Sequence, residues 1–345
     1  MPTVRAFAPG RVNLIGDHTD YTGGWALPMA VEWGTTVEVR RGGPRVELVS
    51  SDDPEPATVD LDVADPRAVT PAWARYVAGV VAVLGPAEGA VGTVRSTLPV
   101  GVGLSSSAAL EVSVALALGF DGSPMELALA CQEAEHRASG VPSGVMDQLA
   151  SVLGVEGHAL LIDFSSLDVV PVPMPEGVDV VVVHSGQARA LAGSAYAARR
   201  AQCEAAAAVI GPLRDASVDV VDRLDDDLLR RRARHVVTEN RRVLDFAAAL
   251  RAGDLVEAGR LMAASHASLA TDFDVSTGAL DALVAELAAT PGVYGARLTG
   301  AGFGGCVVTL ADAGSRVRGW RLHPSAGARV EPGGHSSTEP RVGGR

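Results

Sequence analysis

Asp17, His18, Thr19 and Asp20 stand in a row after an apolar run containing Val12, Leu14 and Ile15, within residues 8–29 (APGRVNLIGDHTDYTGGWALPM). Carboxylates and an imidazole side by side can exchange hydrogen bonds with vicinal hydroxyls, the chemistry that sugar recognition needs. The same cluster also suits a turn in which Asp and Thr cap backbone amides and Gly16, Gly23 and Gly24 supply positive φ. A second segment, residues 99–110 (PVGVGLSSSAAL), passes from a glycine-bearing loop into an Ala/Leu/Val helix with Ser105, Ser106 and Ser107 at the junction. Free amides at a helix start, the positive end of the helix dipole and close-approach glycines together make an anion cradle, to which serine hydroxyls add donors. Read blandly, Gly101 and Gly103 shape a loop and a serine caps the helix.

Two further segments carry polar or glycine-dense patterns. Residues 295–309 (GARLTGAGFGGCVVT) place five glycines between apolar runs, a density that suits close approach to a ligand or a tight strand–turn–strand connection. In residues 131–148 (CQEAEHRASGVPSGVMDQ) a helix ends at Ser139-Gly140 and a second turn presents Asp147. Glu135 lies near that helix's C-terminus, where an acid is disfavoured unless a cation is close; otherwise it is a solvated glutamate, and Asp147 a helix cap after Gly144.

The elements that position these residues follow from periodicity. Val-rich runs at 31–39, 46–49, 91–97, 178–183 and 306–310 read as strands. Apolar residues at three-to-four spacing predict helices over 107–118, 125–139, 194–209, 228–252, 255–268 and 277–289. The mixture is an α+β or α/β signature, and 345 residues suffice for two packed cores. The Pro-rich stretch 170–177 reads as a connection. It divides residues 1–175, with the polar cluster and the glycine–serine loop, from 176–330, with the glycine-rich third segment; residues 331–345 read as a disordered tail.

All 29 basic residues are arginines, so mechanisms that need a lysine amine, including the GxxxxGK[ST] phosphate loop, are excluded. A formal net charge of −12 argues against nucleic-acid and anionic-membrane partners. The start of the chain does not read as a signal or transit peptide, giving an expectation of a cytoplasmic, monomeric protein. Cys131, Cys203 and Cys306 are far apart, lack metal-type spacing and read as small buried hydrophobes.

Taken in order, these segments resemble the galactokinase branch of the GHMP small-molecule kinases. GRVNLIGDHTDYTGG is similar to its sugar signature, PVGVGLSSSAALEV to its phosphate loop and GARLTGAGFGGCVV to its third motif. WARYVAGV, GSAYAARRAQCEAA, HVVTENRRV and LMAASHASLATDFDVS match in order between them. The resemblance implies an α+β, two-domain GHMP-kinase-like fold with the active site in the interdomain cleft. The implied reaction transfers the γ-phosphoryl group of ATP to the anomeric hydroxyl of galactose, giving galactose 1-phosphate and ADP. It further implies catalytic roles for Asp147 and Arg11, sugar contacts from Asp17, His18, Asp20, Gly144 and Tyr196, and ATP contacts from Gly101, Gly103, Ser105, Ser106, Ser107, Trp73 and Tyr76. Ser107 and Glu135 match magnesium-associated positions.

The chain departs from the pattern at three places. Asp17 stands where galactokinases usually have glutamate, withdrawing the carboxylate by roughly 1.5 Å. His184-Ser185-Gly186 replaces a segment that more often holds an Asn-Ser pair. A short link joins Leu310 to PSAGARV at 324–330, where the family has a helix; its loss is expected to uncover apolar surface. Two alternatives therefore stay open: a kinase for another aldose (an amino sugar, arabinose or a secondary-metabolite sugar), and a non-catalytic sugar and ATP sensor.

Overall fold

The computed structural model describes residues 3–99, 103–188 and 192–331. Its N-terminal half runs β1 (Thr3–Asn13), β2 (Trp25–Ala26), β3 (Pro28–Arg41), β4 (Arg45–Ser50), β5 (Ala57–Asp60), α1 (Ala74–Leu84), β6 (Ala90–Ser96), α2 (Ser106–Leu118), α3 (Pro124–Ser139), α4 (Met146–Leu153), β7 (His158–Asp163) and β8 (Val169–Pro173). The remainder runs β9 (Val178–His184), α5 (Ala192–Ile210), α6 (Val218–Val221), α7 (Asp227–Ala252), α8 (Leu255–Thr271), α9 (Gly278–Ala288), β10 (Val293–Thr299), β11 (Cys306–Asp312), β12 (Trp320–Leu322) and β13 (Arg329–Glu331).

Among the described residues the strands form three sheets, ordered β13-β1-β3-β6-β4-β5, β10-β11-β9-β12 and β2-β7-β8. Pairing is antiparallel except between β4 and β6. The first sheet buries Ala6, Val37, Val39, Val46 and Val94 against α1 to α4. Helix α2 is buried nearly all round because it packs on β1, β3, α1, α3 and α4 at once, which explains why its sequence is apolar on every side. Its start is thereby fixed beside β1. Helix α3 has a capping box between Ser123 and Glu126 with Pro124 in its first turn.

The two halves share a core. Val12, Leu14, Leu27 and Met29, around the sugar-signature segment, pack with Val180, Val182, Val308 and Leu310 of the second sheet and with Phe246 and Leu250 of α7. That contact holds the first motif against the C-terminal half. The predicted strands and helices are found, each with ends within a few residues of those read from the sequence.

Three local expectations need revision. The stretch 170–177 begins as strand β8, which pairs only with β7; Pro171 and Pro173 lack the N–H that a central strand would need, and an edge tolerates that loss. Glu331, expected to begin the tail, ends β13 opposite Arg5, and residues 332–345 lie outside the described residues. The short link after β11 does not leave an open apolar face. Val317 folds back into an apolar cluster with Val181, Leu298 and Val307, Arg321 donates to the carbonyls of Ser315 and Val317 and pairs with Asp179, and among the described residues no large exposed apolar side chain lies on β9, β11 or β12.

Candidate active site

Arg11, near the end of β1, and Asp147, in the first turn of α4, meet as a two-pronged ion pair. Nε donates to Oδ1 at 2.7 Å and Nη2 to Oδ2 at 2.5 Å, while Nη1 donates to the carbonyl of Gly103 at 2.7 Å. Ser105 also donates its hydroxyl to Asp147 Oδ2. The guanidinium is largely buried and the carboxylate partly open. A planar fork on a carboxylate fixes both groups in position as well as in charge. Ser105 adopts the left-handed conformation immediately before α2, at φ 57°, a backbone state uncommon for a residue with a side chain.

On one side of this pair lies a cavity of about 240 Å³ lined by Arg11, Asp17, His18, Asp20, Gly144, Asp147, Tyr196, Gly300 and Ala301, among others. It falls below the ~300–1,000 Å³ of drug-sized ligand pockets and suits a monosaccharide-sized guest. The sequence-predicted sugar positions thus come together. Burial pushes the Asp20 carboxyl up to about 7, and the nearby charges of Asp147 and Asp17 add to the effect. A Cβ on Gly144 would occupy the space of the Asp20 carboxylate, so this turn needs glycine for close approach. His18, also left-handed at φ 65°, is pushed down to about 4 by burial and is a neutral imidazole near neutral pH. The Ala301 carbonyl at 3.2 Å can only accept, which places the hydrogen on Nε2 and leaves Nδ1 to accept from the Tyr21 hydroxyl at 2.9 Å.

Asp17 lines the cavity, yet both its oxygens are engaged within the protein. Oδ1 accepts from the Gly300 amide at 2.9 Å and Oδ2 from Arg297, a fully buried arginine on β10. The third motif is therefore a hairpin between β10 and β11 and also a wall of the site. Gly300, Gly302, Gly304 and Gly305 all take positive φ, which lets the tight turn present its backbone to Asp17 and His18.

On the other side of the Arg11–Asp147 pair a second cavity, of about 600 Å³, is lined by Gly103, Ser105, Ser106, Ser107, Leu98 and His184, among others. Leu98, Ser106 and Ser107 also line a third, together with Trp73, Tyr76, Leu110 and Val94. The three cavities share walls in sequence: a small polar one, a middle one set against the start of α2, and one with two aromatic side chains.

Residues 2–41 match the model of the galactokinase galactose-binding signature, 75–155 that of the GHMP kinases N terminal domain and 246–321 that of the GHMP kinases C terminal domain. The galactokinase of Homo sapiens is 43% identical over 343 residues, covering 93% of this chain and 86% of the human one. The chain belongs to the galactokinase family. The galactokinase of Roseiflexus sp. (strain RS-1) is 46% identical, with 91% and 85% covered. The crystal structure of Lactococcus lactis galactokinase complexed with galactose superposes with a TM-score of 0.87 at 31% identity over 95% of each chain.

In this galactokinase-family chain the Ser107 hydroxyl donates to Glu135 Oε1 at 2.9 Å, and Glu135 also accepts from Ser143 and Gln148. Three donors, rather than solvent, account for a carboxylate near the end of α3. Among the described residues no three His, Cys, Asp or Glu side chains gather into a metal cage. One carboxylate and one hydroxyl, the hydroxyl on a residue that lines the cavity at the start of α2, nevertheless fit the way Mg2+ is bound, with few protein oxygens and the rest from water and phosphate. Gly101 lies outside the described residues. No helix among the described residues is long and apolar enough to cross a membrane.

Sequence reasoning passed over the residues that hold the site from behind. On α7, Glu239 accepts from the Gly16 amide at 3.1 Å, from Ser265 and from Arg242, and Asn240 Oδ1 accepts from the Trp25 amide. Burial works to raise the Glu239 carboxyl, but the guanidinium of Arg242 and that of Arg297 bring it down to about 2. His235 reaches the Asp17 carbonyl. The available signal was three polar residues, His235, Glu239 and Arg242, at helical spacing on the face of α7 that also carries Val243 and Phe246.

Proposed function

We infer that this chain transfers the γ-phosphoryl group of ATP to the anomeric hydroxyl of galactose, giving galactose 1-phosphate and ADP. The observation that carries this reading is the place of the Arg11–Asp147 pair, which lines both the monosaccharide-sized cavity and the cavity at the start of α2. A hydroxyl bound in the first would face a phosphate bound in the second across that pair.

In this account His18, Asp20, Tyr196 and the Gly144 turn hold the sugar. Asp147 accepts the hydrogen of the attacking hydroxyl, and takes its proton as the new O–P bond forms and the bond to the ADP oxygen breaks. Arg11 keeps Asp147 in place and offsets charge on the transferring group. Phosphoryl transfer has little covalent work for the protein, so positioning and charge supply the rate. The amides at the start of α2, with Gly103, Ser105 and Ser106, face the ATP phosphates, and Trp73 and Tyr76 flank its base. Ser107 and Glu135 would hold Mg2+, which neutralises phosphate charge when bound.

We also propose that residues 1–175 and 176–330 act as two units around the cleft, in a monomer that works in the cytoplasm, where ATP is supplied. A second reading, a kinase for another aldose, is favoured by Asp17, whose carboxylate is occupied by Arg297 and Gly300. ADP release with Mg-ATP should be compared for galactose, galactosamine, arabinose, glucose and no sugar. Turnover that is fastest with galactose supports the first reading; turnover only with another sugar moves the substrate, and none with any sugar would leave a sensor.

A further inference from the structure

The middle cavity has fewer free donors than its outline suggests. Among the described residues Arg11 is the only arginine lining it, and three of its five N–H groups donate to Asp147 or to the Gly103 carbonyl. The chain has no lysine to add. The Ser105 hydroxyl is given to Asp147 and the Ser107 hydroxyl to Glu135. Two N–H groups of Arg11, the Ser106 hydroxyl and the backbone amides at the start of α2 remain among the described residues, all from the N-terminal half.

One donor enters from the opposite side. His184 ends β9, in the C-terminal sheet, and lines this cavity. Its Nδ1 is 3.0 Å from the backbone N–H of Gly186. That N–H can only donate, so Nδ1 is the acceptor and the neutral ring carries its hydrogen on Nε2. Among the described residues Nε2 has no hydrogen-bond partner. A half-buried ring is thus held by one nitrogen, with an unspent N–H on the other, in a cavity otherwise built around the start of a helix.

We propose that His184 donates a hydrogen bond from Nε2 to a phosphate oxygen of ATP, closing the phosphate compartment from the C-terminal half. This rests on the reading that ATP phosphates occupy the middle cavity. It also gives a role to the position at which this chain carries His-Ser-Gly in place of the more common Asn-Ser pair.

Two substitutions separate the phosphate contact from the turn contact. Asn places a side-chain oxygen near the position of Nδ1, so His184→Asn keeps an acceptor for the Gly186 amide and loses the phosphate-facing donor. Gln reaches the position of Nε2 with an N–H, so His184→Gln keeps the donor. Mg-ATP binding measured by calorimetry on the full chain should weaken about tenfold to a hundredfold in His184→Asn, as for loss of one hydrogen bond to a charged group, and stay within about twofold in His184→Gln. The KM for ATP should follow the same order, with galactose binding and the melting temperature unchanged in both. Wild-type ATP affinity in His184→Asn, or loss confined to His184→Gln, would mark the histidine as a turn cap and overturn the proposal. A wild type that binds Mg-ATP yet releases no ADP with galactose would count against the proposed function alone, because the binding comparison still decides His184; a wild type that does not bind Mg-ATP would overturn both.

Discussion

Arg297 and Asp17 form an ion pair almost wholly withdrawn from solvent, the arginine fully buried and the aspartate 3% exposed. The arginine also donates to the Leu14 carbonyl, so it ties β10 to both the backbone and the side chain of the first motif. Removing one partner of such a pair leaves the other charged and buried. Arg297→Met should therefore cost about 3–5 kcal/mol in denaturant unfolding, whereas the double variant with Asp17→Asn should recover part of that loss. A single variant within about 1 kcal/mol of wild type would mean that the pair is not what anchors the motif.

Asp20 gives a stability effect whose sign can be worked out. Its carboxyl is raised from 3.8 to about 7 in the folded protein, chiefly by burial. Between those values the folded state holds a proton that the unfolded state has lost, so stability falls as pH rises from about 4 to about 7 and is level above that. Asp20→Asn removes the titration. The variant should gain on the order of 1–2 kcal/mol over wild type at pH 8 in the absence of sugar, after allowing for the carboxylate's partial opening to the cavity, and this gain should vanish near pH 4. Thermal melts at the two pH values provide the check, and an equal gain at both would contradict it. Galactose affinity should drop in the same variant.

Gly144 offers a steric test of the sugar cavity. A methyl group there meets the Asp20 carboxylate, which must move for the side chain to fit. Gly144→Ala should raise the KM for galactose about tenfold or more while leaving the KM for ATP within about twofold, because the change faces the small polar cavity only. Equal rises in both would point to a general disturbance of α4.

Much of the fold was legible because strong periodicity marks long elements: α2, α3, α7, α8 and α9, and strands β3, β4, β6, β9 and β11, were all readable. Helix α1 entered the reading only through Trp73 and Tyr76, since AGVVAVL is as much a strand pattern as a helix pattern. Helix α4 has only eight residues after a Gly/Pro-rich turn, too few for a period to show. In the site, the serines and the polar cluster were nameable because they sit in dense local motifs, while Arg11 and Asp147 were nameable only through the resemblance of those motifs to a known family. Arg297 was not, because an arginine between apolar residues on a strand reads as outward-facing, and its partner is 280 residues away. The engagement of Asp17 was hidden for the same reason. Sequence showed a carboxylate in a polar cluster, whereas the hairpin at Gly300 decides what that carboxylate touches.

The central claim is that Asp147, held by Arg11 where two cavities meet, accepts the hydrogen of the attacking hydroxyl. The most direct measurement is the turnover of Asp147→Asn at saturating galactose and Mg-ATP, with binding of each ligand followed by calorimetry. Asparagine keeps the size of the side chain and removes its charge and its capacity to take the proton. The account predicts a fall in kcat of about a thousandfold or more, with galactose and Mg-ATP still bound within about tenfold of wild-type affinity. A variant that turns over within about tenfold of wild type would contradict it.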